Sequence, residues 1–139
     1  MNNIERCVKE LGGAVVPISG TSMLPLLKEG KSLVELVEIG QKRLKKGDVV
    51  LFKKDNGTLV LHRIIKLSSE DSFTVLGDNQ FKNPEHITKN QIIALAKGFF
   101  INGRYIDEKT RWYRVYKKIW NCNLNLRRCF LAFLRFKKK

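Results

Sequence analysis

The chain has no CxxC pair, no histidine cluster and no acidic residue beyond Glu108, and each of these gaps excludes something. Its three cysteines, Cys7, Cys122 and Cys129, are too few and too scattered for a disulfide framework, and an odd number without a signal sequence fits a reducing compartment. Its two histidines, His62 and His86, lie far from the cysteines, so neither a metal nor another cofactor is expected. No apolar run approaches the roughly 20 residues that a membrane-crossing helix needs. The start, Met1-Asn2-Asn3-Ile4-Glu5-Arg6, puts no apolar stretch behind a basic one and does not read as a secretory signal. The expected address is therefore the cytoplasm, with peripheral docking at the inner face of the membrane as a further option. Internal repeats and low-complexity segments are missing as well.

What the chain does have is positive charge, unevenly placed. The formal charge is +14, from 27 lysines and arginines against 13 aspartates and glutamates. From Arg111 to Lys139 there are ten bases and no acid, so the first 110 residues carry a net charge of only +4. A surplus of this kind favours anionic partners, and here it belongs to the tail. Hydrophobic content of 43% in 139 residues is enough for one globular domain with a core.

Periodicity divides the chain into a β-rich domain over 1–106 and a basic amphipathic helical tail over 107–139. Ile4, Cys7, Val8 and Leu11 fall on one helical face, with Asn2 and Glu5 spaced as a capping box and Gly12-Gly13 as the stop. Short apolar runs at Ala14–Ile18, Leu33–Ile39, Val49–Lys53, Thr58–Leu67, Phe73–Leu76 and Ile92–Ile101 predict strands. Asp55-Asn56-Gly57 predicts a hairpin between the third and fourth of them. Gln80–Lys89 reads as a loop, and Asn102-Gly103 as a turn. In the tail, Trp112, Val115, Tyr116, Ile119 and Trp120 predict one helical face. Leu126, Cys129, Phe130, Phe133 and Leu134 predict a second, with asparagines 121, 123 and 125 between them. The first helix is expected to pack on the β-domain. The second is expected to lie on an anionic surface.

Three segments supply a serine, a histidine and an aspartate. A serine hydroxyl becomes a useful nucleophile when a neighbouring base takes its proton and a third group orients that base. Ser22 sits in Gly20-Thr21-Ser22-Met23-Leu24-Pro25, where Gly20 permits a tight turn and Met23 and Pro25 fix the exit. On its own, Gly-x-Ser describes many ordinary loops; with Met-x-Pro following, it is far more specific. His62 alternates with Val60 and Ile64 on one strand face, where burial favours the neutral imidazole that a general base requires. A core histidine satisfied by a backbone carbonyl would look the same. Asp78, in Gly77-Asp78-Asn79, suits either a turn cap or an acceptor for the imidazole. Glu85 is a second candidate for the latter role. Lys66 shares the face of His62 but stands ~13 Å along the strand, too far for both to serve Ser22.

Taken together, Gly20-Thr21-Ser22-Met23-Leu24-Pro25-Leu26-Leu27, Gly47-Asp48-Val49-Val50, Leu61-His62-Arg63-Ile64-Ile65 and Gly77-Asp78-Asn79 resemble, in order and spacing, the serine peptidase superfamily of type I signal peptidases and LexA-like self-cleaving repressors. The resemblance covers roughly residues 14 to 101. It implies a mostly β, coiled antiparallel fold and a Ser22 nucleophile. It implies a His62 base as well, because the endoplasmic-reticulum-type enzymes carry histidine where common bacterial ones carry lysine. The third member stays open between Asp78 and Glu85: further aspartates of the reticulum-type enzymes are replaced here by Lys82 and Asn83. Gly20 stands where many bacterial signal peptidases have an oxyanion-binding serine. The oxyanion and substrate site is therefore assigned to Gly20, Thr21 and Met23, chiefly through the Ser22 N–H with help from the Thr21 hydroxyl. A short form without a membrane anchor, ending in a Trp-Tyr-Arg-x-Tyr helix, resembles small signal-peptidase-like proteins encoded beside peptide-maturation enzymes in anaerobic bacteria.

The expected function is cleavage of a signal- or leader-like peptide through an acyl-enzyme. The alternative is a non-catalytic peptide-binding module on the same fold. Expected partners are a peptide or precursor protein and, through the tail, an anionic membrane surface. Nucleic acid is not expected, because no recognition motif accompanies the charge.

Overall fold

The computed structural model describes residues 2–137; Lys138 and Lys139, the last two bases of the tail, lie outside the described residues. The chain opens with helix α1 (Asn3–Leu11), whose capping box forms as the sequence predicts. The Asn2 side chain accepts from the Ile4 N–H at 2.8 Å, and the Glu5 carboxylate accepts from the Asn2 N–H at 2.7 Å. Gly12, at φ +82°, ends the helix in the left-handed conformation that glycine adopts freely.

Among the described residues, eight strands form one antiparallel sheet: β1 (Gly13–Pro17), β2 (Ser32–Val37), β3 (Val49–Lys53), β4 (Leu59–Ser69), β5 (Ser72–Leu76), β6 (Glu85–Thr88), β7 (Ile92–Ile101) and β8 (Arg104–Ile106). Their order is β1-β2-β7-β3-β4-β5-β6, with β8 on the far part of β7. Strand β7 pairs with β2, β3 and β8, so it holds the two halves of the sheet together. Register shifts at Glu35/Leu36, Leu51/Phe52 and Ile64/Lys66 bend the sheet, since an extra residue in one strand increases local twist. The bend gives two cores. Val34, Leu36, Val49, Leu51 and Phe99 pack with Met23, Leu26 and Leu27 on one side, and Val50, Phe52, Ile64, Val75 and Ile87 pack on the other. The chain is thus mostly β with helical ends, as the alternating runs predict.

Two elements differ from the sequence reading. Gln80–Lys89 is not all loop, because Glu85–Thr88 adds to β5 as the edge strand β6. It is short and mostly polar, and only Ile87 points into the core, so it carries almost no period-two signal. Asn102-Gly103 does turn the chain, with φ values of +52° and +78°, and leads into β8.

The tail forms α2 (Arg111–Cys122) and α3 (Leu124–Lys137), which meet at Asn123. Their inner faces match the expected ones only in part: Tyr116 and Trp120 face inward as expected. On α2 the buried residues are Tyr113 and Trp120, with Tyr116 between them, whereas Trp112 and Val115 point outward. On α3 the buried residues are Arg127 and Leu131. The apolar arc of α2 is broader than its packed face and apolar residues encircle α3, so spacing alone could not choose the packed face.

Candidate active site

The segment from Ile18 to Leu27 leaves the end of β1 and carries Ser22 on a turn. Gly20 takes φ +80°, and no neighbouring atom lies near its missing Cβ. Met23 is buried, and Leu27 donates its N–H to the Met23 carbonyl at 2.9 Å, which anchors the turn from inside. Thr21 stays exposed and Ser22 half-exposed. The Ser22 N–H, the expected oxyanion donor, gives no hydrogen bond to another backbone group among the described residues.

His62 lies on β4 opposite Val50 and is buried on the face shared by Val60 and Ile64, as the alternation predicts. The Phe52 ring meets it edge-on at 5.9 Å. Burial pulls the imidazole pKa below its ordinary 6.5, opposed chiefly by the negative charge of Glu85. His62 is therefore neutral near pH 7, the state in which an imidazole can accept a proton. Its Nδ1 is buried without a hydrogen-bond partner, and Glu85 Oε1 stands 3.9 Å from it.

Gly77 brings the serine segment and the imidazole together. A Cβ placed there would lie 2.5 Å from the Ser22 carbonyl oxygen and 3.1 Å from His62 Nε2. Only a residue with no side chain lets the two approach this closely. The next turn joins on directly, since Asn79 donates its N–H to the Ser22 carbonyl at 2.9 Å. No hydrogen bond joins the Ser22 hydroxyl to the imidazole among the described residues; Phe52 and Glu85 are among the neighbours of the ring. Catalytic hydrogen bonds are often long in a substrate-free enzyme and tighten when substrate binds.

Asp78 is fully buried, and its carboxylate is turned to other work. Arg63 donates to it twice, Nε to Oδ1 and Nη2 to Oδ2, each at 2.9 Å, and the Tyr116 hydroxyl donates to Oδ2 at 2.7 Å. The backbone carbonyl of Asp78 accepts from the Trp120 indole at 2.8 Å. Arg63 also donates to the Gly47 carbonyl at 2.7 Å, which ties the Gly47-Asp48 turn to the same cluster. Burial alone would pull the Arg63 pKa down, but Asp78 and the neighbouring tyrosines raise it overall, so the guanidinium stays charged. Of the two acids considered for orienting His62, Glu85 stands at the imidazole and Asp78 is committed to Arg63 and Tyr116. Glu85 owes its place to β6, and it also pairs with Lys54 at 3.3 Å.

The tail completes this region. Arg127 of α3, fully buried, donates to the carbonyls of Gly77 and Gln80, each at 3.0 Å, and to that of Trp120 at 2.9 Å. Sequence reasoning missed Arg63 and Arg127 as buried groups, because an arginine ordinarily reads as solvated surface. His86 is exposed on β6, with Nδ1 3.1 Å from the Thr74 hydroxyl, and Lys66 is exposed and remote from Ser22.

Beside Ser22 runs an apolar groove of about 450 Å³. The end of β1 lines one wall with Val16, Pro17 and Ile18, and β4 lines the other with Leu59 and Leu61. Asn2 and Ile4 of the α1 region close one end, and a Lys53–Glu5 ion pair at 3.3 Å holds α1 against β3. Among the described residues, no group of histidines, cysteines and acids is placed to hold a metal ion, and no helix is long and apolar enough to cross a membrane.

With this geometry, the Peptidase S24-like family profile matches residues 5–99. The chain belongs to that family. The matched span takes in the turn of Ser22, the strand of His62 and the loop of Asp78, and ends within β7. The fold is accordingly that of a serine peptidase family. No curated protein and no solved structure gives a significant match.

Proposed function

We propose that the protein is a serine endopeptidase that cleaves a signal- or leader-like peptide, with Ser22 as nucleophile and His62 as general base. The observation that carries this reading is the approach at Gly77, where the Ser22 segment and His62 Nε2 share the space of one missing methyl group. Family membership and the buried, neutral imidazole support it.

A peptide lies extended in the apolar groove with its scissile carbonyl at Ser22. The Ser22 Oγ attacks the carbonyl carbon while His62 Nε2 takes the hydroxyl proton. The negative oxygen forms beside the Ser22 N–H and within reach of the Thr21 hydroxyl; losing one such donor costs on the order of a hundredfold in rate. The imidazolium returns the proton to the leaving amine as the C–N bond breaks, giving an acyl-Ser22. Water then gives a proton to His62 as its oxygen bonds to the ester carbon, and the imidazolium returns that proton to the Ser22 Oγ as the ester C–O bond breaks and the acid leaves. Glu85 faces the other imidazole nitrogen and stabilises the imidazolium that forms in each half.

The test is a mechanism-based acylating peptide reagent, read by mass spectrometry of the intact protein. The expected result is one adduct on Ser22, absent in Ser22→Ala and strongly slowed in His62→Ala. An adduct forming equally fast without either side chain overturns the reading.

One observation favours a second reading: the Ser22 hydroxyl and the imidazole share no hydrogen bond in this state. On that reading the chain is a peptide-binding module that keeps the groove and lacks the chemistry. It would hold an apolar peptide with unchanged affinity in Ser22→Ala, and it would never acquire the adduct.

A further inference from the structure

A helix that packs on a domain needs one apolar face. Each tail helix has a second. On α2 the inner row of Tyr113, Tyr116 and Trp120 is already used against Arg63 and Asp78. Trp112 and Val115 nevertheless remain 49% and 53% exposed, and Ile119 continues their row. On α3, Arg127 and Leu131 face inward. Leu126, Phe130 and Phe133 repeat at i, i+4 and i+7 on another face, and Phe133 is 60% exposed. Phe136, in the last turn, is 81% exposed.

Charge accompanies both rows. Arg111, Arg114 and Lys118 flank Val115 on α2, and all three are exposed. Arg128, Arg135 and Lys137 are exposed on α3, and the Lys137 ammonium sits 5.8 Å over the Phe133 ring. No acid follows Glu108, so nothing on these helices neutralises the bases.

We propose that the outer faces of α2 and α3 dock the protein onto an anionic lipid bilayer. Trp112, Phe133 and Phe136 enter the boundary between headgroups and acyl chains, and the flanking bases meet lipid phosphates. Helices of 12 and 14 residues lie in that plane; they are too short to span it. The chemistry favours a bilayer over other occupants. A nucleic acid would meet the bases but leave the aromatic rows in water. A second copy would bring an equally positive face against this one.

This proposal does not depend on the peptidase reading. The full chain is mixed with vesicles of phosphatidylglycerol and phosphatidylcholine, or of phosphatidylcholine alone, and sedimented. Trp112→Ser with Phe133→Ser removes apolar anchors, and Arg111→Glu with Lys118→Glu reverses charge. All four positions are exposed or lie outside the inner rows, and a thermal melt checks that folding is unchanged. The expected result is at least tenfold stronger partition to anionic vesicles, lowered about tenfold by either pair and weakened by salt as exposed charges are screened. Equal binding to both vesicle types overturns the proposal. So does unchanged partition of the variants, or a dimer in solution that Phe133→Ser dissociates, which would make a second copy the occupant. Cleavage of a soluble peptide without vesicles, if present in the parent chain, is expected to be equal in both variants.

Discussion

Arg127, in the second tail helix, donates to the carbonyl oxygen of Gly77 at 3.0 Å, fifty residues earlier in the chain. The tail therefore reaches the residue around which the Ser22 segment and His62 meet. The same guanidinium holds the Gln80 and Trp120 carbonyls, so it grips the 77–80 loop from both ends. Arg127→Ala removes a donor from three carbonyls, of which that of Gly77 keeps the Gln80 N–H, and each buried group left unsatisfied costs roughly 1–3 kcal/mol. The expected outcome is a lower melting temperature and slower acylation of Ser22. Arg127→Lys, which cannot fork to several carbonyls, should recover only part of the rate. A variant as fast as the parent would show that the loop keeps its place unaided.

Gly77→Ala asks whether the close approach matters. The added methyl would stand 2.5 Å from the Ser22 carbonyl and 3.1 Å from His62 Nε2, so one of them must move. Overpacking of this kind typically costs about 1–3 kcal/mol of stability. Acylation should fall far more than affinity for a groove-binding peptide, because the groove walls lie on β1 and β4. Kinetics with a chromogenic peptide ester separate the two effects.

The two acids near the site should behave differently. Breaking a buried ion pair from one side costs about 3–5 kcal/mol, so Asp78→Asn and Arg63→Met should destabilise the fold in a denaturant titration. Glu85 is half-buried on an edge strand, so Glu85→Gln should change stability little. If Asp78→Asn left stability intact while abolishing acylation, Asp78 would be the orienting acid after all.

The pH dependence follows from His62. Its folded pKa is depressed by burial, so the neutral base persists below pH 6.5 and the acid limb of the acylation rate should lie under that value. Glu85 opposes the depression, so Glu85→Gln should move the limb to still lower pH. Stability has the same sign. The unfolded chain binds a proton on this residue at a higher pH than the folded one. Its contribution is thus complete above 6.5 and lost as pH falls from there toward the folded pKa. Thermal melts of the parent and of His62→Gln should converge at low pH.

Ser22→Ala should leave the melting temperature nearly unchanged, since surface substitutions away from special features stay within about 0.5 kcal/mol. It should abolish the covalent adduct. A protein that turns over a peptide without this hydroxyl needs another nucleophile.

Six of the eight strands, the β3–β4 hairpin and the α1 cap were legible because each rests on local chemistry: a two-residue alternation, a turn dipeptide, a capping pair. The motif wording called for the Ser22 hydroxyl to meet His62; the structure brings the Ser22 carbonyl and His62 Nε2 together at Gly77, a residue of the Gly77-Asp78-Asn79 motif whose role was not apparent in the sequence. The rest required long-range contacts. Asp78 looked free to serve an imidazole because nothing local says that Arg63, one residue past His62, points to the opposite side of β4 and takes both its oxygens. The register of β6, which delivers Glu85, depends on pairing with β5 and leaves almost no trace in a four-residue polar stretch. On the tail helices, an apolar arc wider than the packed face on α2, and apolar residues all round on α3, hid which face the domain would use.

Asn2 and Ile4 help to wall the groove, and the Lys53–Glu5 pair keeps them there. Anything fused ahead of Asn2, such as a purification handle, is therefore attached to a residue that lines the groove. On the proposed function it would compete with a groove-bound peptide at an effective concentration no dilution can lower, whereas a handle placed after α3 would be attached to a different element.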